Sequence, residues 1–404
     1  MNLRSIFSSV VYKELAPVDL PARVSHQHEL DGVAALREFF GGAQGMSGNI
    51  QWHFFADNAD PVSGGGKYTF YDARAKTFAR TGRSEWRMYY ESEFLNHANP
   101  GDVLILARTE DENIFGLVFQ NNSAWLRAAR TLFGMEAIQP RLQLMPEAIL
   151  NEQELEFFRQ QILEELGIEF KVPTSAQDEE LANAELERAR DEGRNFPSTQ
   201  RMASLAQSLI QVDINNGDET LIRWLTREEQ IFRAIERILV QRKLDEGFES
   251  VDEFISYSLS IQNRRKARMG IALQNHLARL FTARNLRYET QKRTEGKNTP
   301  DFLFPGRAEY LDQAFATNLL VMLGAKSSCK ERWRQILTEA DRIGNKHLCT
   351  LEQAISVDQT DEMRTQHVTL VLPESFHSSY TPGQRGEIWT VNQFIDFVRA
   401  KQTV

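Results

Sequence analysis

The stretch from Pro300 to Glu339 limits the folds open to this chain more than any other. Its two apolar runs, DFLF and LLVMLGAK, have strand length and are bounded by Pro, Gly and polar residues, so two neighbouring buried strands are expected. Asp301 then opens one strand and Lys326 closes the other. Beyond Lys326 the period changes. Trp333, Ile336, Leu337, Ala340 and Ile343 fall at helical spacing, which predicts an amphipathic helix starting near Cys329. Arg332, Gln335 and Glu339 lie on one stripe of that helix, beside its buried face.

Two carboxylates and a lysine that converge have a chemical use. Mg²⁺ prefers hard oxygen ligands and takes only one or two protein carboxylates alongside waters and phosphate oxygens. Such an ion can polarise a phosphodiester and lower the pKa of an attacking water while a lysine orients that water, which is a nuclease-type arrangement. Asp301 and Glu339 are the candidate metal ligands and Lys326 the candidate catalytic lysine. A carboxylate on an amphipathic helix also suits a plain solvated face, so spacing alone leaves both readings open.

Composition sets the bounds around this stretch. With 404 residues, 41% of them apolar and 25% charged, the chain can hold two or three domains with cores of their own. No run approaches the ~18–20 apolar residues of a membrane span, and the N-terminus lacks a signal-peptide pattern. Cys329 and Cys349 show no CxxC spacing and no clustered His, so neither a disulfide framework nor structural zinc is expected, and the expected compartment is the cytoplasm. A net charge of −9 argues against general coating of polyanions. DNA contact would need local basic patches. His276, His347, His367 and His377 are scattered without ligand spacing, which suits core or surface roles.

Residues 1–145 read as a mostly-β barrel with a helix or two. IQWHFFA, KYTFYDA, EWRMYY, DVLILAR and NIFGLVF are strand-like, and VAALREFFG is a helix closed by Gly41. GGAQGMSG and SGGGK do not fit a phosphate-binding loop and are expected to be turns. DARAKTFARTGRSEWRMYYE gathers Arg74, Lys76, Arg80, Arg83 and Arg87 around Glu85, with Trp86, Tyr89 and Tyr90 interleaved. Guanidinium groups can pair with phosphate or guanine edges, and a carboxylate can accept from cytosine. A solvated hairpin of balanced charge accounts for the same pattern equally well.

Residues 146–198 are acidic and helix-prone, and we expect an interdomain connector with a solvated face. SLAQSLIQVDI and EEQIFRAIERILVQRKL follow as lead-in helices that pack on the C-terminal core or join a dimer interface. Arg264, Arg265, Lys266 and Arg268 then supply cations at the start of the helix bearing Gln274, a pattern suited to phosphate anchoring. HVTLVLPESF and WTVNQFIDFVRA read as a strand and a closing helix, so residues 199–404 form the third expected region.

GFESVDEF, NRRKARMG, HLARLF, TEGKNTPDFLFP and AKSSCKERWRQILTEADRI together resemble the catalytic domain of EcoRII-type restriction endonucleases over about Gly247 to Leu348. The resemblance implies a restriction-endonuclease-like α/β/α core of the PD-(D/E)-x-K type in which the second acid has moved onto the following helix. It assigns catalytic roles to Asp301, Lys326 and Glu339, with Mg²⁺ as cofactor. The family has a further glutamate where this chain has Gln274, and an amide lacks the charge that holds a metal or its water shell. Lys330, Glu331 and Arg332 match a triplet that reads outer C·G pairs.

YDARAK and SEWRMYY resemble the N-terminal effector-DNA-binding pseudobarrel of the same enzymes. Arg83, Glu85 and Arg87 match its R-x-E-x-R recognition pattern, and Trp86 stands where a lysine is expected. The implied protein is a homodimeric type II endonuclease. It would cut double-stranded DNA at a CCWGG-like site and be autoinhibited until its N-terminal domain binds an effector site. Gln274 motivates a rival, a sequence-specific DNA-binding protein that no longer cleaves. A non-specific repair nuclease of the same fold is the other alternative.

Overall fold

The computed structural model describes residues 2–20, 29–31, 33–42, 44–91, 94–153, 156–168, 175–295, 298–328 and 330–403. The chain divides into two compact units, Met1–Phe170 with Gln353–Ser356, and Lys171–Glu352 with Val357–Val404. It is a mixed α/β protein of more than one domain.

In the first unit the strands are β1 (Phe7–Glu14), β2 (Glu29–Asp31), β3 (Met46–Phe55), β4 (Val62–Asp72), β5 (Trp86–Glu91), β6 (Val103–Thr109), β7 (Ile114–Phe119) and β8 (Gln143–Leu144). They form one sheet in the order β2-β5-β4-β3-β7-β6-β1-β8, antiparallel throughout except for the parallel pair β3–β7. Helix α1 (Val33–Phe39) lies against β5 near one edge and against β1 and β8 at the other, so the sheet curls round it. Leu36 and Phe39 of α1 join Val11, Trp52, Phe70, Met88 and Tyr90 in the enclosed core.

Period-2 alternation gives each strand its inward face. Trp86, Met88 and Tyr90 point in, and the Trp86 ring packs 4.8 Å from that of Phe70. Gly116 stands opposite Trp52 in the β3–β7 register, where a Cβ would come within 2.3 Å of the indole. Only glycine fits there. The expected strands and the α1 helix ending before Gly41 are present. SGGGK is not the expected turn: Gly64, Gly65 and Gly66 lie inside β4, paired with Trp52, Gln51 and Ile50. The long β3–β4 ladder takes up the glycines because its backbone hydrogen bonds do not depend on side chains.

The acidic segment after residue 146 also differs from expectation. A short helix, Glu147–Glu152, and α2 (Phe157–Glu165) belong to the first unit, with Leu150, Phe157, Phe158, Ile162 and Leu163 buried. Helix α3 (Ala176–Asp191) belongs to the second. It buries Ala182 and Leu186 in a cluster with Met202 of α4 (Thr199–Leu209) and with Ile231, Phe232 and Ile235 of α5 (Gly217–Glu246). Asp178–Arg227 and Glu185–Arg201 ion pairs fix it there. Two small or apolar positions in a polar helix suffice once a matching apolar face lies against them.

The second unit holds a five-stranded sheet in the order β13 (Val368–Val371), β12 (Lys346–Thr350), β11 (Val321–Lys326), β10 (Phe302–Phe304) and β9 (Glu289–Thr290). β9, β10 and β11 run antiparallel, whereas β11, β12 and β13 are parallel. Helix α6 (Val251–Ala283) and the closing helix α7 (Val391–Gln402) cover one face. Phe281 of α6 lies 5.2 Å from Phe302 and 5.4 Å from Phe304, and Phe394 of α7 lies 5.7 Å from Phe304. On the opposite face a Cβ at Gly324 would sit 2.8 Å from Ile336. By strand alternation Lys326 shares that second face.

Candidate active site

Asp301 immediately precedes β10, and Lys326 is the last residue of β11. The antiparallel β10–β11 register brings them together: Lys326 Nζ donates to Asp301 Oδ2 at 3.0 Å. The Ala325 N–H donates to the same oxygen at 2.8 Å. Asp301 is 8% exposed, so these bonds replace the water it has lost. The other oxygen, Oδ1, accepts from Gln274 Nε2 of α6 at 2.9 Å, and Gln291 Nε2 in turn donates to Gln274 Oε1 at 3.3 Å.

Glu339 reaches the same place by a route different from the expected helix stripe. The segment Lys330–Thr338 is a 3-10 helix, not an α-helix, and Glu339 follows its last residue. The Glu339 N–H still donates to Ile336 O at 3.1 Å, continuing the three-residue pattern. At three residues per turn, positions 333, 336 and 339 share one face. Trp333 and Ile336 on that face are fully buried, so the third member is a carboxylate drawn into a half-buried position, whereas Gln335 is exposed.

Burial, and then the nearby Asp301 charge, push the Glu339 carboxyl up to about 7, against the opposing pull of Lys326 and Lys346. Its Oε2 is buried and accepts no hydrogen bond. The position two residues before Lys326 on the same strand face, Gly324, has no room for a carboxylate because Ile336 fills the space. The second acid therefore comes from the end of the 3-10 helix.

Lys346 packs beside the site and was not singled out by the sequence. It is 6% exposed and donates to the carbonyls of Glu339, Ala340 and Ile343 at 2.5, 3.2 and 3.2 Å. Ala340 adopts a left-handed φ of 52°, and the lysine holds that turn closed. The available signal was a lysine opening KHLCT, a strand that is otherwise wholly buried.

The cations before Gln274 are distributed differently from expectation. Helix α6 starts at Val251 behind a Ser250 cap, so residues 263–268 lie in its middle rather than at its start. Arg268 is 4% exposed and pairs with Glu229, which corrects its assignment to phosphate. Arg265 binds Glu236, with Nε–Oε1 at 2.9 Å, and the Arg264 guanidinium lies 4.8 Å from the Phe196 ring centre. Arg264 and Arg265 keep part of their surface. The side chains of Lys266, Lys330, Glu331 and Arg332, and all of Cys329, lie outside the described residues.

In the first unit, Glu85 forms the centre of the basic patch. It accepts from Arg74 Nε at 2.5 Å and from Arg87 Nε at 3.0 Å, and the two arginines hold its carboxyl below the usual carboxylate range. Arg87 also donates to Glu29 at 2.6 Å. Arg80 and Arg83 are exposed nearby, as are Arg74 and Lys76. Trp86, in the place of an expected lysine, faces the core. Its substitution therefore belongs to the barrel interior and not to the outward row of Arg83, Glu85 and Arg87.

The structure thus places an acid, a lysine and a second acid at the edge of a mixed sheet, side chains of the kind suited to metal-assisted chemistry on phosphoesters. Comparison with known proteins narrows it. Residues 232–395 match the family described as EcoRII C terminal. The type II restriction enzyme EcoRII of Escherichia coli is 43% identical over 201 residues, which cover 50% of this chain and 50% of that enzyme.

The match thus spans about half the length of this relative. Among solved structures, metal-depleted Ecl18kI in complex with uncleaved, modified DNA aligns at a TM-score of 0.45 and 17% identity, covering 57% of this chain and 86% of that one. The PspGI–substrate DNA complex aligns at 0.40 and 16%, covering 57% and 94%. Among the described residues, no helix is long and apolar enough to cross a membrane.

Proposed function

We propose that the chain is a Mg²⁺-dependent type II restriction endonuclease that hydrolyses double-stranded DNA at a short, C/G-flanked, CCWGG-like site. The observation that carries this is the convergence of Asp301, Lys326 and Glu339 with one carboxylate oxygen of Glu339 buried and unbonded. A buried oxygen without a donor is costly unless a cation completes it. The donor set is all oxygen, which suits a hard divalent ion, and Asp301 and Glu339 would hold it. When bound, such an ion supplies Lewis acidity toward a phosphoryl oxygen and a more acidic water.

The chain's own groups do the rest. Lys326 and the Ala325 N–H keep Asp301 oriented as an acceptor. Lys326 has further N–H donors with which to steer a water or a non-bridging phosphate oxygen. Lys346 and the Ala340 turn hold Glu339 against the site. Lys330, Glu331 and Arg332 follow Lys326 within six residues, so base readout and catalysis would share one segment, and a wrong base would disturb the acid at its far end.

We further propose that residues up to about 170 bind an effector site through Arg74, Arg80, Arg83, Glu85 and Arg87 and restrain the nuclease until they do so. The active form would be a homodimer working in the cytoplasm. The stripe Val251, Ile255 and Leu259 at the exposed start of α6, with Phe254 beside it, supports association with a second copy. Digestion of a multi-site plasmid with and without Mg²⁺, followed by end sequencing, tests the activity and reads out the site.

Gln274 keeps a second reading in view, a sequence-specific DNA-binding protein without cleavage. Discrete Mg²⁺-dependent fragments that disappear in Asp301→Ala would exclude it. Specific binding with no fragments would favour it, and cuts scattered over unrelated sequences would favour a repair nuclease.

A further inference from the structure

We infer that Gln274 limits the proposed centre to one divalent ion per chain. The inference rests on the nuclease reading above and specifies its metal stoichiometry. A carboxylate offers about four lone-pair positions. At Asp301 three are taken by the chain itself: Oδ1 accepts from Gln274 Nε2 at 2.9 Å, and Oδ2 accepts from the Ala325 N–H at 2.8 Å and from Lys326 Nζ at 3.0 Å. One position, on Oδ1, is left for a cation. Glu339 Oε2, buried and without a hydrogen bond, is the oxygen available to share that cation.

The orientation of the amide matters, and its neighbours set it. Gln291 Nε2 donates to Gln274 Oε1 at 3.3 Å, so the Gln274 NH₂ group turns toward Asp301. Flipping the amide would place oxygen against the Asp301 carboxylate and nitrogen against the Gln291 nitrogen, losing both bonds. The partial positive charge of that NH₂ group lies against Asp301 Oδ1, where it opposes the binding of a second cation. A second ion would also need a further anionic ligand. A glutamate at position 274 would supply the missing charge and remove the N–H from Asp301 in one change.

The test counts ions instead of measuring cleavage. Mn²⁺ is titrated into the full chain, free ion is followed by electron paramagnetic resonance, and an Asp301→Asn/Glu339→Gln double variant serves as the blank for surface carboxylates. One ion above the blank is expected for the natural chain and for Gln274→Ala, and two for Gln274→Glu. Two ions on the natural chain would overturn the inference while leaving the metal reading intact, and so would a Gln274→Glu variant that stays at one. If the natural chain binds none above the blank, the metal reading falls and this inference with it. The natural-chain count needs no variant of Gln274 to fold.

Discussion

Glu85 and Glu339 are the same side chain in opposite circumstances. Glu85 sits between Arg74 and Arg87, is partly exposed, and is held below the usual carboxylate range by their hydrogen bonds. Glu339 is drawn into a half-buried position by a 3-10 helix, has Asp301 for a neighbour, and is pushed up to about 7. The first has its counter-charges built in, a preformed pattern of donors and acceptors at the surface. The second is left short of positive charge, although Lys326 and Lys346 lie close enough to moderate it. A site that must recruit a cation looks like the second, and a site that must offer a fixed pattern of donors and acceptors looks like the first.

The largest effect should come from the lysine that completes Asp301. Lys326→Ala should slow single-turnover cleavage by about 10²- to 10³-fold or more, the loss typical of removing one group that stabilises developing charge. DNA affinity measured in Ca²⁺ should change little. Near-normal cutting would remove Lys326 from the mechanism and with it the contrast between the two glutamates.

The next effect separates the glutamates by pH. Because burial raises the Glu339 carboxyl to about 7, it is neutral below that pH, and an ion must displace its proton to bind. Mn²⁺ affinity should therefore climb by about tenfold per pH unit up to about 7 and level off above it. Glu339→Gln should bind weakly with no such slope. Glu85 is displaced downward, so DNA binding by the first unit should stay flat from about pH 5 to 8. A slope of the same shape in both assays would erase the comparison.

A smaller effect tests where the catalytic unit begins. A chain starting at 175 keeps Ala182 and Leu186 in their cluster with α5. One starting at 196 exposes that face and should lose about 2–4 kcal/mol in denaturant unfolding. Equal stability of the two fragments would return α3 to the status of a connector.

The smallest expected effect lies at the preformed surface. Glu85→Ala releases Arg74 and Arg87 and should reduce discrimination between a specific and an unrelated site by about 1–3 kcal/mol in binding by the first unit. Unchanged discrimination would mean that Glu85 only anchors the two arginines.

Much of this architecture could be read along the chain. DFLF and LLVMLGAK announced β10 and β11, and their ends placed Asp301 and Lys326 at one sheet edge. Glu339 was visible as a candidate, yet its approach was misjudged because an α period and a 3-10 period agree over one turn and part only afterwards. SGGGK looked like a turn because glycine-rich runs break isolated strands, whereas the β3–β4 ladder supplied the pairing that overrides the local preference.

What the sequence determined by itself was local: apolar runs and their periods, the strand ends, and the candidate acids and lysine placed near them. These follow from backbone geometry and from side chains only a few residues apart. Tertiary structure alone decided which charges are satisfied. Arg268 is spent on Glu229, 39 residues away, while Gln274 crosses 27 residues to Asp301 and Lys346 secures the turn after Glu339. Burial and long-range hydrogen bonds set the electrostatic state of each group, and neither is encoded in the spacing of its neighbours along the chain.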